Sequence, residues 1–215
     1  MNVNEKFVIT INRELGSGGR TVGRKLAEKL GVPFYDKALI KALEEKYRLT
    51  VEEIEKLKGS NHSWWAEFKR VMGIGEDVAN SARYYQASPD QEPTLLTTEE
   101  IFMAEQEILK GIAQDESCII AGRSGFFVFR KHPNHLSILI QASMDFRQNR
   151  VARKQDITPD EARKIIENVD KMRENYVNKY TKSSRYDTRN YDLVISSDGK
   201  TEDQIVSFIL KYIGK

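Results

Sequence analysis

What the chain has little of narrows it first. One cysteine, Cys118, occurs in 215 residues, so no intrachain disulfide and no multi-cysteine metal site can form. That residue opens the apolar run Cys-Ile-Ile-Ala, which reads as a reduced thiol in a core strand rather than a nucleophile. Neither sign of charge is in excess: 34 Lys and Arg face 32 Asp and Glu, leaving no global field that would draw nucleic acid or a membrane surface. No apolar run approaches the ~20 residues needed to span a bilayer. The opening Met-Asn-Val-Asn-Glu-Lys lacks the basic-then-apolar build of a secretion signal, so a cytoplasmic location is expected. The three histidines (His62, His132, His135) lack metal-ligand spacing and are expected in surface loops. Internal repeats and low-complexity tracts are absent, and any anion chemistry must come from local arginine placement.

What is present alternates between strand and helix signals. A chain of this length forms one α/β domain with a smaller insertion. Phe7–Ile11 is β-branched and runs into glycines, as a buried first strand does. Val22, Leu26, Ala27 and Leu30 then recur at helical spacing, with Gly31 as the stop. Val32–Tyr35 is a brief second strand, with Asp36 just past its end. This βαβ unit implies parallel strands and a right-handed crossover. From Lys37 to about Ser88 the pattern is helical and irregular, with a capping box at Thr50–Glu53 and the pairs Trp64-Trp65 and Tyr84-Tyr85, which serve either core packing or closure over a site. Ser88–Pro93 is a linker, and Thr97–Ala113 an amphipathic helix with Ile101, Glu105, Ile108 and Ile112 about a turn apart. Cys118–Ala121, Leu136–Ile140 and Asp192–Ile195 are further strands. Ser143 caps a helix through Arg153, Thr158-Pro-Asp-Glu161 opens a helix to about Tyr180, and Thr201–Ile213 is the last. The sum is a doubly wound α/β sheet.

The chemistry centres on Gly16-Ser17-Gly18-Gly19-Arg20-Thr21, between the first strand and its helix. Glycines let the backbone turn its N–H groups inward, and a helix N-terminus adds free donors and about half a positive charge. Thr21 is placed to offer a hydroxyl to magnesium. Against the pattern G-x-x-x-x-G-K-[ST], one register puts Arg20 for the lysine and Glu14 for the first glycine; another, ending G-K-G-T, puts Gly19 at the lysine position. Arg13 or Arg20 would then carry the phosphate charge. Two other readings stand beside this one. A plain glycine turn binds nothing, and a dinucleotide loop would use Asp36 on a ribose, although Thr21 stands where its third glycine belongs.

Phe7–Ile40 resembles the cytidylate kinase-like family. The resemblance continues at Ile119-Ile-Ala-Gly-Arg-Ser124, at Leu139–Ser143 with Arg147 and Arg150, at Asp170-Lys-Met-Arg173 and at Tyr191–Ser196. It implies a P-loop NTPase with a five-stranded parallel sheet, helices on both faces, a helical insertion and a helical lid. The divisions are 1–43 core with P-loop, 44–93 acceptor-binding insertion, 94–154 core, 155–183 lid and 184–215 core. It further implies transfer of the ATP γ-phosphoryl, with Mg2+, to a small acceptor such as a nucleoside monophosphate. Gly16, Ser17, Gly18, Gly19, Arg20, Thr21 and Arg147 would hold ATP, with Thr21 also on the metal. Asp36, Arg123, Asp170 and Arg173 would hold the acceptor, and Arg13, Arg20, Arg123, Arg150 and Arg153 would act on the transferring phosphoryl. Each has a plainer alternative. Asp36 would cap the next helix, Arg123 would sit in a surface turn, and Arg147, Arg150 and Arg153 would form a solvated face. Asp170 and Arg173 would be a surface i,i+3 pair. A non-catalytic nucleotide-binding protein with a degenerate P-loop is the alternative for the whole.

Overall fold

The computed structural model describes residues 1–36 and 99–215. The insertion expected at 44–93, with its capping box, aromatic pairs and linker, lies outside the described residues. Five strands form one sheet: β1 (Val8–Arg13), β2 (Phe34–Tyr35), β3 (Cys118–Ala121), β4 (His135–Gln141) and β5 (Leu193–Ser196). Their order is β2-β3-β1-β4-β5, and every pairing is parallel. The described helices are α1 (Gly19–Leu30), α2 (Glu99–Asp115), α3 (Gly125–Val128), α4 (Met144–Gln155), α5 (Pro159–Thr181) and α6 (Glu202–Tyr212), with a 3-10 turn at Thr188–Asn190.

The central strands read as continuous apolar runs because both faces are covered. On one face Ile9 and Ile11, Ile119 and Ala121, and Leu136, Ile138 and Ile140 join Val22 and Leu26 of α1 and Ile205, Val206 and Ile209 of α6. Each such side chain taken from water contributes roughly 1.5–3 kcal/mol. On the other face Val8, Thr10, Ile120 and Leu139 are also buried. There α3 packs so closely that a Cβ on Gly125 would lie 2.8 Å from Thr10 Cγ2. Helix α1 stops at Gly31, whose φ of 66° lets its N–H return to Ala27 and Glu28 carbonyls.

Three caps follow the residue pattern. Ser143 accepts from Phe146 N–H, and Thr158 and Thr201 each complete a capping box, with Glu161 and Gln204. Other expectations shift. The first strand runs two residues further, which puts Arg13 at its last position, and the second strand is only Phe34–Tyr35. His135 is no surface-loop residue: it opens β4, bonds Thr10 Oγ1 through Nε2 at 2.7 Å, and burial lowers its pKa to about 4. Among the described residues no helix is long and apolar enough to cross a membrane.

Candidate functional site

The strands' C-terminal ends carry two adjacent loops, one after β1 and one after β3. In the first, Gly16 and Gly18 take φ of 85° and 82°, a backbone that side chains resist. Ser17 is buried and turns its hydroxyl onto Glu14 O at 2.9 Å. Gly18 caps α1 without a side-chain bond, and the ladder begins with Val22 N–H on Gly18 O. The N–H groups of Gly19, Arg20 and Thr21 therefore precede the ladder, as donors at a positive helix end do.

Arginines surround this loop. A Cβ on Gly19 would lie 2.6 Å from Arg13 Cβ, and one on Gly122 would overlap the Arg13 guanidinium. Arg13 thus spans the gap between the two loops. A Cβ on Gly18 would meet Arg150 Cζ at 3.4 Å and Glu202 Oε1 at 3.5 Å, and Arg150 Nη2 bonds that carboxylate at 2.5 Å. Burial alone would raise the Glu202 carboxyl; its own N–H and the Arg150 guanidinium hold it below the usual range instead. Arg20 turns elsewhere: its Nε pairs with Asp36 Oδ2 at 2.7 Å, and Asp36 is buried. Arg153 is exposed on α4.

On the α4–α5 side the loop is bolted down. Leu15 inserts among Val151, Ala152, Ala162, Ile166 and Val169. Its N–H donates to Asp170 Oδ1 at 3.1 Å, and Arg147 Nη1 reaches Asp170 Oδ2 at 2.5 Å and Leu15 O at 3.5 Å. Glu14 accepts from Ala142 N–H at 3.0 Å and lies 3.7 Å from Arg147 Nε. Arg173 and Arg185 approach Asp170 Oδ1 at 3.7 and 3.5 Å. Asp170 and Arg173 are therefore not a surface ion pair, for Asp170 is buried. Arg185, which no sequence motif flagged, is fully buried; its Nη2 donates to Arg13 O, its N–H to Glu174 Oε2 at 3.1 Å, and its carbonyl accepts from Tyr191 Oη. Burial, then the nearby Arg173, pulls its pKa down.

The second loop is Gly122-Arg123-Ser124, with φ of 80°, 54° and 53° in succession, closed by Gly125 N–H on Gly122 O. Arg123 pairs with the buried Glu105 of α2, whose Oε2 accepts from Tyr176 Oη at 2.8 Å. The guanidinium also lies 5.8 Å from the Tyr176 ring centre. Phe102, Tyr176 and Tyr180 form an aromatic cluster beside it, Phe102 stacked on Tyr180 at 4.5 Å. The sequence shows Glu105 only as one of four residues about a turn apart on an amphipathic helix; its pairing with Arg123 is set by the fold.

The site gathers Arg13, Gly16–Thr21, Arg147 and Arg150 at one loop and Arg123 at the next, with Asp36, just past the end of β2, joined to Arg20. Magnesium held mainly by phosphates and water needs few protein ligands, and the half-buried Thr21 in the first turn of α1 fits that demand. Among the described residues no cluster of three or more His, Cys, Asp or Glu could hold a metal by itself.

The sequence model of the cytidylate kinase-like family matches residues 8–199. No curated protein matches the chain. Among solved structures, an uncharacterized protein from Eubacterium ventriosum ATCC 27560 is 25% identical, with a TM-score of 0.68 over 97% of this chain and 98% of the other. Shikimate kinase from Bacteroides thetaiotaomicron is 15% identical, with a TM-score of 0.50 over 97% and 99%. The second likeness is one of fold, that of P-loop kinases.

Proposed function

The chain belongs to the cytidylate kinase-like family, and from that premise we propose that it transfers the γ-phosphoryl of ATP to a small acceptor, a nucleoside monophosphate by the family's name. The observation that carries this reading is the run of unladdered N–H groups at Gly19–Thr21, set between Arg13 and Arg150, with Arg13 reaching across to the loop that carries Arg123. Phosphoryl transfer asks for positioning and charge neutralisation more than covalent chemistry. The backbone donors of the loop hold the donor phosphates. Arg13, which reaches both Gly19 and Gly122, stands between donor and acceptor loops and takes the role a P-loop lysine has elsewhere, there being no lysine between Lys6 and Lys25. Arg20 is engaged with Asp36 and organises the acceptor side. Arg123 grips the acceptor's phosphate or hydroxyl. Arg150 exchanges Glu202 for a donor phosphate when nucleotide binds, while Arg147 holds the loop from behind. The Thr21 hydroxyl would hold magnesium, which would supply positive charge against the donor phosphates. The segment 155–183, chiefly α5, serves as the lid, with the exposed Arg153 at its entrance.

A second reading, nucleotide binding without turnover, is favoured by the lysine-free loop. One experiment separates them: a phosphotransfer screen with ATP and magnesium against nucleoside monophosphates and small hydroxyl acceptors, beside calorimetry for ATP. Product with any acceptor supports the kinase. A blank screen with firm ATP binding sinks it in favour of the binding protein.

A further inference from the structure

The resemblance assigns Asp170 to the acceptor, but its surroundings give it different work. Three elements distant in sequence meet at its carboxylate. Oδ1 takes the Leu15 N–H from the middle of the glycine loop, and Oδ2 takes Arg147 from α4. Arg185, arriving from beyond α5, approaches Oδ1 and at the same time bonds the carbonyl of Arg13, the residue at the end of β1. Asp170 is 7% exposed and Arg185 0%. Both ends of the segment Arg13–Leu15 are thereby fixed from one side, the Arg13 carbonyl by Arg185 and the Leu15 N–H by Asp170. Leu15 seals the joint by inserting into the α4–α5 cluster. Behind Gly16 the fit leaves no slack, since a Cβ there would lie 2.8 Å from Arg147 O.

We propose that Asp170 and Arg185 are positioning residues for the phosphate loop, a buried clamp that fixes Arg13–Leu15 to the α4–α5 pair and so sets the loop's affinity for nucleotide. This rests on the phosphate-binding reading given above. A carboxylate buried among three guanidiniums and one backbone N–H is costly to disturb, because removing one partner strands the others without compensation. The clamp also ties α4, through Arg147, and the middle of α5, through Asp170, to the loop.

The test uses the full chain, with Asp170→Asn and Arg185→Lys as variants and Arg163→Ala, from an exposed i,i+4 pair with Glu167 on the same helix, as control. MgATP affinity is measured by calorimetry, the acceptor KM by steady-state kinetics, and amide exchange on peptides from the loop (12–22) and from β4 (135–141). Loss of a hydrogen bond to a buried charged group predicts ATP binding weaker by on the order of 10- to 100-fold in Asp170→Asn. Faster exchange in the loop peptide alone should accompany it, with the acceptor KM little changed. Arg185→Lys keeps the charge but loses the fork, and a smaller shift of the same kind is expected; it carries the test if Asp170→Asn does not fold. Unchanged ATP affinity and loop exchange with a raised acceptor KM would overturn the clamp in favour of an acceptor contact. If the unmodified protein binds no ATP, the phosphate-binding reading fails by itself, and the loop exchange still decides whether the clamp holds the loop.

Discussion

The loops leaving β1 and β3 lie side by side, and both pass through left-handed backbone, by opposite means. The β1 loop meets the demand with Gly16 and Gly18, for which φ above 80° carries no steric cost. The β3 loop forces Arg123 and Ser124 into the same region, at about 1–2 kcal/mol each. A cradle made of N–H groups needs backbone and no side chain, so glycine serves it well. A turn that must aim a guanidinium cannot use glycine at that position. Strain at Arg123 therefore marks a side chain whose direction matters, held by Glu105 and Tyr176.

The largest expected effects separate the loops by substrate. Thr21→Ala lowers phosphotransfer on the order of 10²–10³-fold through the nucleotide side, and Arg123→Ala by a similar factor through the acceptor side. Steady-state kinetics with each substrate varied in turn reads the difference. If Arg123→Ala changes ATP affinity and leaves the acceptor KM alone, the division of labour is wrong. Next comes Gly16→Ala, where an added Cβ meets the Arg147 backbone at a positive φ. A loss of about 2–4 kcal/mol is expected in urea unfolding.

The floor of the β3 loop offers a pH probe. Helix α3 packs on Thr10, and Thr10 bonds His135, whose pKa is lowered to about 4 by burial. The unfolded chain binds this proton first, near pH 6.5, so the stability from neutral His135 is complete above that value. It is lost as pH falls toward 4, by on the order of 3 kcal/mol. His135→Gln should flatten that limb of a stability–pH curve; an unchanged curve assigns the loss to other groups. The smallest expected effect has the opposite sign. Ser124→Gly relieves a strained φ and removes a buried hydroxyl with no hydrogen-bond partner among the described residues. A gain of about 1 kcal/mol, or a Tm rise of roughly 2–4 °C, should appear in thermal melts. A lower Tm would mean that the turn is not strained.

Much of this was legible beforehand. The first strand, the glycine loop, its helix and the Ser143 and Thr158 caps depend on neighbours within a few residues, and local pattern finds them. The order of motifs along the chain singles out Arg123, whereas its partner Glu105 carries only a helical spacing among isoleucines and no sign of that pairing. Arg185 and Glu202 had no local signal, because their roles exist only where chain segments more than fifty residues apart meet. The left-handed turn at Arg123-Ser124 was hidden for the related reason that neither residue is glycine.

The clamp on the phosphate loop has a consequence for how the protein is made. Val8 of the central strand pairs with Cys118 and His135, and the loop that follows is secured by Asp170 and Arg185, 155 and 172 positions from their backbone partners. A ribosome therefore delivers the glycine loop well before the residues that fasten it. Such long closures are slow to form. Until they do, the nascent chain carries the loop's glycines without the contacts that hold Arg13–Leu15 in place.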